Sequence, residues 1–306
     1  MKIEQARKLV ILLSKEWKID PFFSLNKITN ELNGSICQPY SDFNTFEFPL
    51  VSFEKSVKFL HLNFYKPDVS YDKVKILGEK RTRAITSILK YINKKSGFKY
   101  NFWILKCVAS VIKDTSWPVQ FGYEACKDKP PVIKIYISVA RNNSNSCFLK
   151  KLCDVSGFRW RKLEKIFSRN RIDSVGFDLL HNGLHRLKIY TYFEPPFDLL
   201  NMRKIYKEYN KSQDKYLDSY LKWIKNMPLR HVGLLYRISE DSSVGSVKIW
   251  ARLEKPAPFK LLRPIIKPAP ARLSRWLISA CDIIKSARAK VAYLTLENGK
   301  IGVYFR

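Results

Sequence analysis

Residues 171–193 read RIDSVGFDLLHNGLHRLKIYTYF, in which two alternating segments flank His181-Asn182-Gly183. Alternation is typical of half-buried strands, and Gly183 can supply the positive φ of a tight turn, so the stretch predicts a β-hairpin. Because side chains alternate along a strand, the second arm has one apolar face and one cationic and aromatic face. The cationic and aromatic face consists of Arg186, Lys188, Tyr190 and Tyr192.

The same hairpin pattern recurs along the chain. Residues 119–138 read VQFGYEACKDKPPVIKIYIS, a fourth copy runs from Val232 to Leu253, and a fifth occupies 291–306 and ends in KIGVYFR. A degenerate first copy falls at roughly 44–66. Internal repetition of this kind is strong evidence about architecture.

Helical periodicity separates the hairpins. We expect helices at 2–16, 22–33, within 70–113, at 143–170 with a break at Ser156-Gly157, at 197–225 and at 271–288. The repeated order of helix, strand, strand and helix predicts an α+β fold of five αββα repeats. Ten such strands can close into an antiparallel barrel with a polar lumen, surrounded by α-helices.

Length and composition favour a folded protein. With 306 residues and 46% hydrophobic content, we expect one domain over residues 1–306. No apolar run is long enough to span a bilayer and the start does not resemble a signal peptide, so we expect a cytoplasmic protein without membrane contact. The six cysteines form no CxxC pair, and we expect neither a metal site nor disulfides.

The net charge of +29 indicates an anionic partner. Nucleic acid is the commonest such partner, and basic residues interleaved with aromatic ones suit phosphate contacts and base stacking. The basic residues are, however, spread over the whole length without a recognised nucleic-acid motif. A nucleic-acid partner is therefore disfavoured but stays open.

If strand parity holds in all five hairpins, basic and aromatic side chains share one enclosed space. Clustered cations in a sheltered cavity are costly unless an anion joins them, and a diphosphate fits this requirement. Aromatic faces beside it would attract a ligand cation. Holding a departing diphosphate next to a shielded carbocation is what ionisation of an allylic diphosphate requires. The alternative for each hairpin is an open sheet whose Lys and Tyr face meets water.

The hairpins SVGFDLLHNGLHRLKIYTYF and VQFGYEACKDKPPVIKIYIS, with the ending KIGVYFR, resemble the ABBA-fold aromatic prenyltransferases. The nearest likeness is to those that modify cyanobactins and related ribosomal peptides. The resemblance covers most of the chain through the order and length of its elements, and its motifs are short.

The resemblance implies roles for particular residues. Glu47 would be the catalytic carboxylate near the acceptor, although an exposed strand carboxylate or a lysine partner is an equal alternative. His61 stands where the family usually has a diphosphate-binding arginine, and Gly302 where some relatives keep a cation. The diphosphate-binding set is His61, Lys134, Lys188, Lys248, Arg252 and Arg306. The carbocation shield is Tyr136, Tyr190, Trp250 and Tyr304. Asp178, if it points inward, is expected to pair with the cations.

We therefore expect a prenyltransferase that moves an isoprenyl group, dimethylallyl in the first instance, from its diphosphate to an electron-rich side chain of a ribosomal peptide. A small aromatic metabolite as acceptor, or a non-enzymatic nucleic-acid-binding barrel, are the alternatives. Mg²⁺ is the candidate cofactor because it neutralises diphosphate. The sequence contains no DDxxD motif to bind it.

Overall fold

The fold comes from a computed structural model of the chain. The residues it describes are 46–49, 56–64, 100, 103–112, 119–126, 129–139, 145–169, 171–181, 183, 185–210, 216–258, 290–298 and 300–305.

The described residues form ten strands and five helices. The strands are β1 Phe46–Pro49, β2 Ser56–Phe64, β3 Val119–Cys126, β4 Lys129–Ser138, β5 Arg171–Leu179, β6 His185–Tyr192, β7 Leu229–Ile238, β8 Val244–Ala257, β9 Val291–Glu297 and β10 Lys300–Phe305. The helices are α1 Trp103–Ile112, α2 Asn145–Val155, α3 Trp160–Arg169, α4 Leu199–Tyr209 and α5 Leu217–Lys225.

Every described strand pairs antiparallel with its neighbour in sequence, and β1 also pairs with β10. The strand order β1-β10-β9-β8-β7-β6-β5-β4-β3-β2 therefore closes the curled sheet on itself. Gly183 adopts a φ of 83°, as the predicted turn between β5 and β6 requires. The predicted α+β class with antiparallel hairpins is thus confirmed.

One face of the sheet is apolar, and its central residues in β4 to β8 are buried. Its best buried members include Ile135, Ile137, Val175, Phe177, Leu187, Ile189, Leu234 and Ile249, all at most 1% exposed. Helices cover part of this face: α4 packs on β8, and the buried Tyr206 hydroxyl accepts a hydrogen bond of 2.8 Å from the backbone N of Asn298. The apolar faces of the strands thus meet helices, as their parity predicts.

The opposite face is concave, and we call it the inner face. Side chains from strands that are not neighbours meet there: Arg237 of β7 reaches Asp178 of β5 across β6, and Glu297 of β9 across β8. Neighbouring strands lie about 4.8 Å apart, so such contacts are favoured where the sheet curls toward them. Charged and aromatic residues therefore converge on the inner face.

The helix predicted at 143–170 is two helices that break where expected, at Ser156-Gly157, with Gly157 at a φ of 81°. The prediction of a single helix at 197–225 is wrong, because the segment contains two helices, α4 and α5. Helix α4 ends at Asn210, which has an extended backbone and forms hydrogen bonds with Val247 of β8.

Several predicted helices lie outside the described residues. They are those at 2–16, 22–33 and 271–288, and most of the one within 70–113. The full set of five αββα repeats therefore stays a prediction. None of the helices in the described part of the chain combines the length and apolar character needed to cross a membrane.

Candidate active site

Four basic side chains on the inner face converge on one carboxylate. Asp178 of β5 is completely buried, and its Oδ2 lies 3.2 Å from Arg186 Nη2 and 4.0 Å from Arg237 Nη1. Its Oδ1 lies 3.7 Å from Lys134 Nζ and forms an ion pair with Lys188 Nζ. We call these five residues the cation cluster.

The strand register explains this convergence. Lys134 is opposite Asp178, which is opposite Arg186, and Lys188 is opposite Arg237. Paired residues of an antiparallel sheet project from the same face. Four consecutive strands, β4 to β7, therefore each contribute at least one charge to the cluster.

The cluster shifts the pKa values of its members. Burial raises the pKa of Asp178, but Lys134, Lys188, Arg237 and Arg186 outweigh burial and hold it well below its usual value. Burial lowers the pKa of Lys188, and Lys134 and Arg237 lower it further, whereas Asp178 opposes the change. Asp178 is thus held ionised, and it favours the charged form of Lys188.

Two tyrosines adjoin the cation cluster. The rings of Tyr136 and Tyr190 are 5.7 Å apart in an edge-to-face arrangement, and Lys188 Nζ lies 5.6 Å from the centre of the Tyr136 ring. Burial raises the pKa of Tyr190 well above its usual value, which keeps its hydroxyl protonated. Gly176 makes room for this pair, because a Cβ there would lie 2.5 Å from Tyr136 Cδ1.

Lys248 and Trp250 of β8 extend the same face. Lys248 is buried at 4% exposure and lies opposite Leu235, which is opposite Tyr190. Trp250 packs with Tyr192 and Leu235, with Tyr190 and Tyr293 against them. A Cβ at Gly233 would lie 2.6 Å from the Trp250 ring, so this glycine lets the indole lie against β7.

Arg252, predicted to bind diphosphate, lies away from the cation cluster. It is opposite His231 and Tyr293, and its guanidinium lies 5.6 Å from the centre of the Tyr293 ring. His231 is six residues from Arg237 along β7, which corresponds to about 20 Å of strand. The structure therefore brings Lys134 and Lys188 together and leaves Arg252 elsewhere on the inner face.

Only backbone positions are described for some predicted site residues. Glu47 is opposite Tyr304 of β10 and Lys58 of β2, and Tyr304 is opposite Tyr293. His61 falls in the register shift between Phe59 and Leu62, so pairing does not fix its face. The side chains of Glu47, His61 and Tyr304, and all of Arg306, lie outside the described residues.

Sequence reasoning left two members of the cluster out of the diphosphate-binding set. Arg186 has the inward parity of Lys188, and Arg237 has the parity of Gly233, so alternation predicts that both face inward. The inward position of Asp178, and its pairing with the cations, agree with the prediction. Within the described part of the chain, no three or more His, Cys, Asp or Glu side chains group in a way that could hold a metal ion.

No protein-family profile and no curated protein sequence match the chain. Solved structures do. A 6-dimethylallyl tryptophan synthase superposes with a TM-score of 0.69 at 12% identity, covering 100% of this chain and 96% of that one. The 6-dimethylallyltryptophan synthase of Micromonospora olivasterospora, in complex with DMASPP and Trp, gives 0.70 at 10% identity, covering 100% and 97%.

The prenyltransferase PriB, solved with L-tryptophan and dimethylallyl thiolodiphosphate, gives a TM-score of 0.66 at 12% identity, covering 100% of this chain and 96% of that one. Identities this low establish the fold alone. The superpositions cover all of this chain and at least 96% of each of those chains, so the chain shares the fold of the aromatic prenyltransferases.

Proposed function

We propose that the chain is a prenyltransferase that transfers a dimethylallyl group from its diphosphate to an electron-rich aromatic side chain. The observation that carries the proposal is the cation cluster, in which Lys134, Lys188 and Asp178 are buried beside Tyr136 and Tyr190 on the inner face. Buried charges of one sign in excess call for a polyanionic ligand. Solved proteins of the same fold bind dimethylallyl diphosphate analogues together with Trp.

In the proposed reaction Lys134, Lys188 and Arg186 hold the diphosphate while the bond between its oxygen and the allylic carbon breaks. The negative charge that develops on the leaving diphosphate is stabilised by these fixed cations, which need no reorganisation. The faces of Tyr136 and Tyr190 attract the positive charge of the allyl cation, and the enclosed position keeps water away from it.

Lys248 and Trp250 extend this arrangement along β8. We propose that Lys248 adds to diphosphate binding and that Trp250 and Tyr304 complete the shield. Arg252 is better placed toward the acceptor, because it shares a row of paired residues with Tyr293, Tyr304 and Glu47. His61 and Arg306 stay candidate diphosphate ligands from the resemblance.

Glu47 is proposed to take the proton that leaves the acceptor after its carbon attacks the allyl cation. A general base contributes about 10²-fold or more to such a step. Glu47→Gln is therefore expected to lower turnover by about 10²-fold while leaving the affinity for the thiolodiphosphate analogue unchanged. Measuring both quantities on one preparation checks this, and unchanged turnover would remove Glu47 from the mechanism.

We further propose that the acceptor side chain belongs to a ribosomal peptide, as the hairpin motifs suggest through their resemblance to cyanobactin-type enzymes. A free aromatic metabolite such as tryptophan is the alternative, supported by the Trp complexes of the structural neighbours. Incubation with dimethylallyl diphosphate and either free tryptophan or a peptide library containing Trp and Tyr separates the two. The mass increment of one dimethylallyl group identifies the acceptor, and its absence from every acceptor would contradict the proposal.

Mg²⁺ has no ligand set of its own among the described residues, since cations surround the buried Asp178. We propose that Mg²⁺ acts only through the phosphate oxygens of the donor. Binding of the donor analogue should then survive chelation by EDTA. Complete loss of binding in EDTA would contradict this assignment.

The nucleic-acid alternative needs lysines on an external stripe. Lys134, Lys188 and Lys248 are instead at most 4% exposed. A single-stranded oligonucleotide is therefore not expected to compete with the donor analogue for the inner face, and efficient competition would favour that alternative.

A further inference from the structure

Asp178 is a negative charge placed where the proposed ligand would bring negative charge. It is completely buried, and its carboxylate contacts the head groups of Lys134, Arg186, Lys188 and Arg237 at distances of 4.0 Å or less. A site that only had to bind a polyanion would gain affinity from these cations without a carboxylate among them. The presence of Asp178 therefore calls for an explanation.

Without a carboxylate these four cations repel one another, most strongly the buried Lys134 and Lys188, and less strongly Arg186, whose side chain is 39% exposed to water. Buried cations either separate or lose protons under those conditions. Asp178 removes this penalty while no ligand is bound, and its central position keeps the head groups directed at one point. In agreement with this, Asp178 acts to raise the pKa of Lys188 and so favours its charged form.

The same carboxylate has an opposite effect once a diphosphate is bound. It is close to every cation that would contact the phosphate oxygens, so it also lies close to those oxygens and repels them. Each cation, moreover, shares its charge between Asp178 and the ligand. Asp178 therefore makes the empty cluster better ordered and the occupied cluster weaker.

We propose that Asp178 is a positioning residue that stands in for the diphosphate charge in the free protein and limits how tightly inorganic diphosphate is held, so that this product leaves. The inference rests on the proposed function and adds to it a determinant of product release. If Asp178 were purely structural, it would order the empty cluster without weakening the binding of diphosphate. The affinity for inorganic diphosphate therefore distinguishes a structural role from the proposed one.

The test is calorimetric titration of inorganic diphosphate into the full chain as wild type and as Asp178→Asn. The substitution keeps the size of the side chain and removes its charge. We expect Asp178→Asn to bind inorganic diphosphate at least tenfold more tightly than the wild type, and to show correspondingly stronger product inhibition. Asp218→Asn is the matched control, because Asp218 is also paired with an arginine, Arg203, but is exposed on α5. The control should bind like the wild type.

A second variant pair keeps the inference testable if Asp178→Asn does not fold. Lys188→Gln should weaken diphosphate binding, and Asp178→Asn with Lys188→Gln removes one charge of each sign. We expect the double variant to bind at least tenfold more tightly than Lys188→Gln alone. Folding of each variant is checked by circular dichroism before titration.

The outcomes separate the inference from the proposed function. A wild type that does not bind inorganic diphosphate overturns the proposed function and the inference together. Binding by the wild type, with Asp178→Asn no tighter, overturns the inference alone. The inference is likewise overturned if the double variant binds as weakly as Lys188→Gln.

Discussion

Lys188 places its ammonium group where water hardly reaches it. Its side chain is 2% exposed, forms an ion pair with Asp178 and lies over the ring of Tyr136. A buried lysine is costly unless a partner compensates it, and here the partners are a carboxylate and an aromatic face. Lys188 therefore connects the cation cluster to the tyrosine pair.

Replacement of Lys188 by Gln should weaken binding of dimethylallyl thiolodiphosphate by about 10- to 100-fold, the range expected for a lost hydrogen bond to a charged group. Calorimetric titration measures this affinity. Lys222→Gln is the control, since Lys222 is an exposed lysine on α5. Equal affinity in Lys188→Gln and the control would contradict the assignment.

Gly176 is needed for the position of Tyr136. A methyl group there would approach the Tyr136 ring to 2.5 Å, so Gly176→Ala must displace the ring or the strand. We expect overpacking to lower the free energy of unfolding by about 1–3 kcal/mol. Turnover should fall by about tenfold or more, because the displaced Tyr136 no longer lies where the proposed reaction needs it. Gly245→Ala is the matched control, because the nearest atom to a Cβ there is 3.4 Å away. Urea titrations and turnover assays of both variants test this, and equal behaviour would show that Tyr136 does not depend on Gly176.

At the scale of elements, the hairpins were predictable because alternation is a local property of the sequence. The end of α4 was not, because it depends on a contact 37 residues away: Asn210 Nδ2 donates to the Val247 carbonyl at 2.6 Å, and the Val247 N donates to Asn210 Oδ1 at 3.1 Å. The helical periodicity of residues 197–225 does not indicate that Asn210 bonds to Val247. The sequence therefore predicted one helix where the structure has two.

Asn210→Ala leaves a buried backbone N and carbonyl without these partners. The free energy of unfolding should fall by about 1–3 kcal/mol, the cost of buried groups that lose a hydrogen bond. Asn226→Ala serves as the control, since Asn226 is exposed at the end of α5 and bonds only within its own turn. Chemical denaturation of both variants measures the difference, and a loss in Asn210→Ala no larger than in the control would show that the Asn210 bonds do not stabilise the fold.

For the candidate site, the sequence predicted which side chains face inward but not which of them meet. Parity placed Lys134, Lys188 and Lys248 on the inner face, where the structure has them. It could not distinguish Arg237, which contacts Asp178, from Arg252, which does not. Both face inward, and only the register between β6 and β7 assigns one of them to the cluster. The register between two strands depends on both of them, so the sequence of either strand alone does not determine it.

At the scale of the whole molecule, closing the sheet separates two kinds of positive charge. Lys134, Lys188 and Lys248 are buried on the inner face, whereas other basic residues are exposed, among them Lys150, Lys165 and Lys222. Salt screens exposed charges far more than buried ones. Functions of the inner face should therefore respond little to ionic strength.

Global stability should depend on acid through Asp178. The pKa of Asp178 is held well below its usual value in the fold and is about 3.9 in an unfolded chain. Its contribution is therefore complete above about pH 5 and falls as the pH drops further, because protons then bind the unfolded chain more readily. Urea titrations between about pH 3 and pH 6 should show a steeper loss of stability for the wild type than for Asp178→Asn. If the free energy of unfolding depends on pH in the same way in both proteins, the ion pairs of Asp178 do not stabilise the fold.

The proposed function requires that the cation cluster binds the diphosphate of an isoprenyl donor. A crystal structure of the protein with dimethylallyl thiolodiphosphate shows whether it does. We predict that the diphosphate oxygens lie within hydrogen-bonding distance of Lys134, Lys188 and Arg186, with the dimethylallyl carbons against Tyr136 and Tyr190. A donor analogue bound on the outer surface, with the inner face empty of it, would contradict the claim.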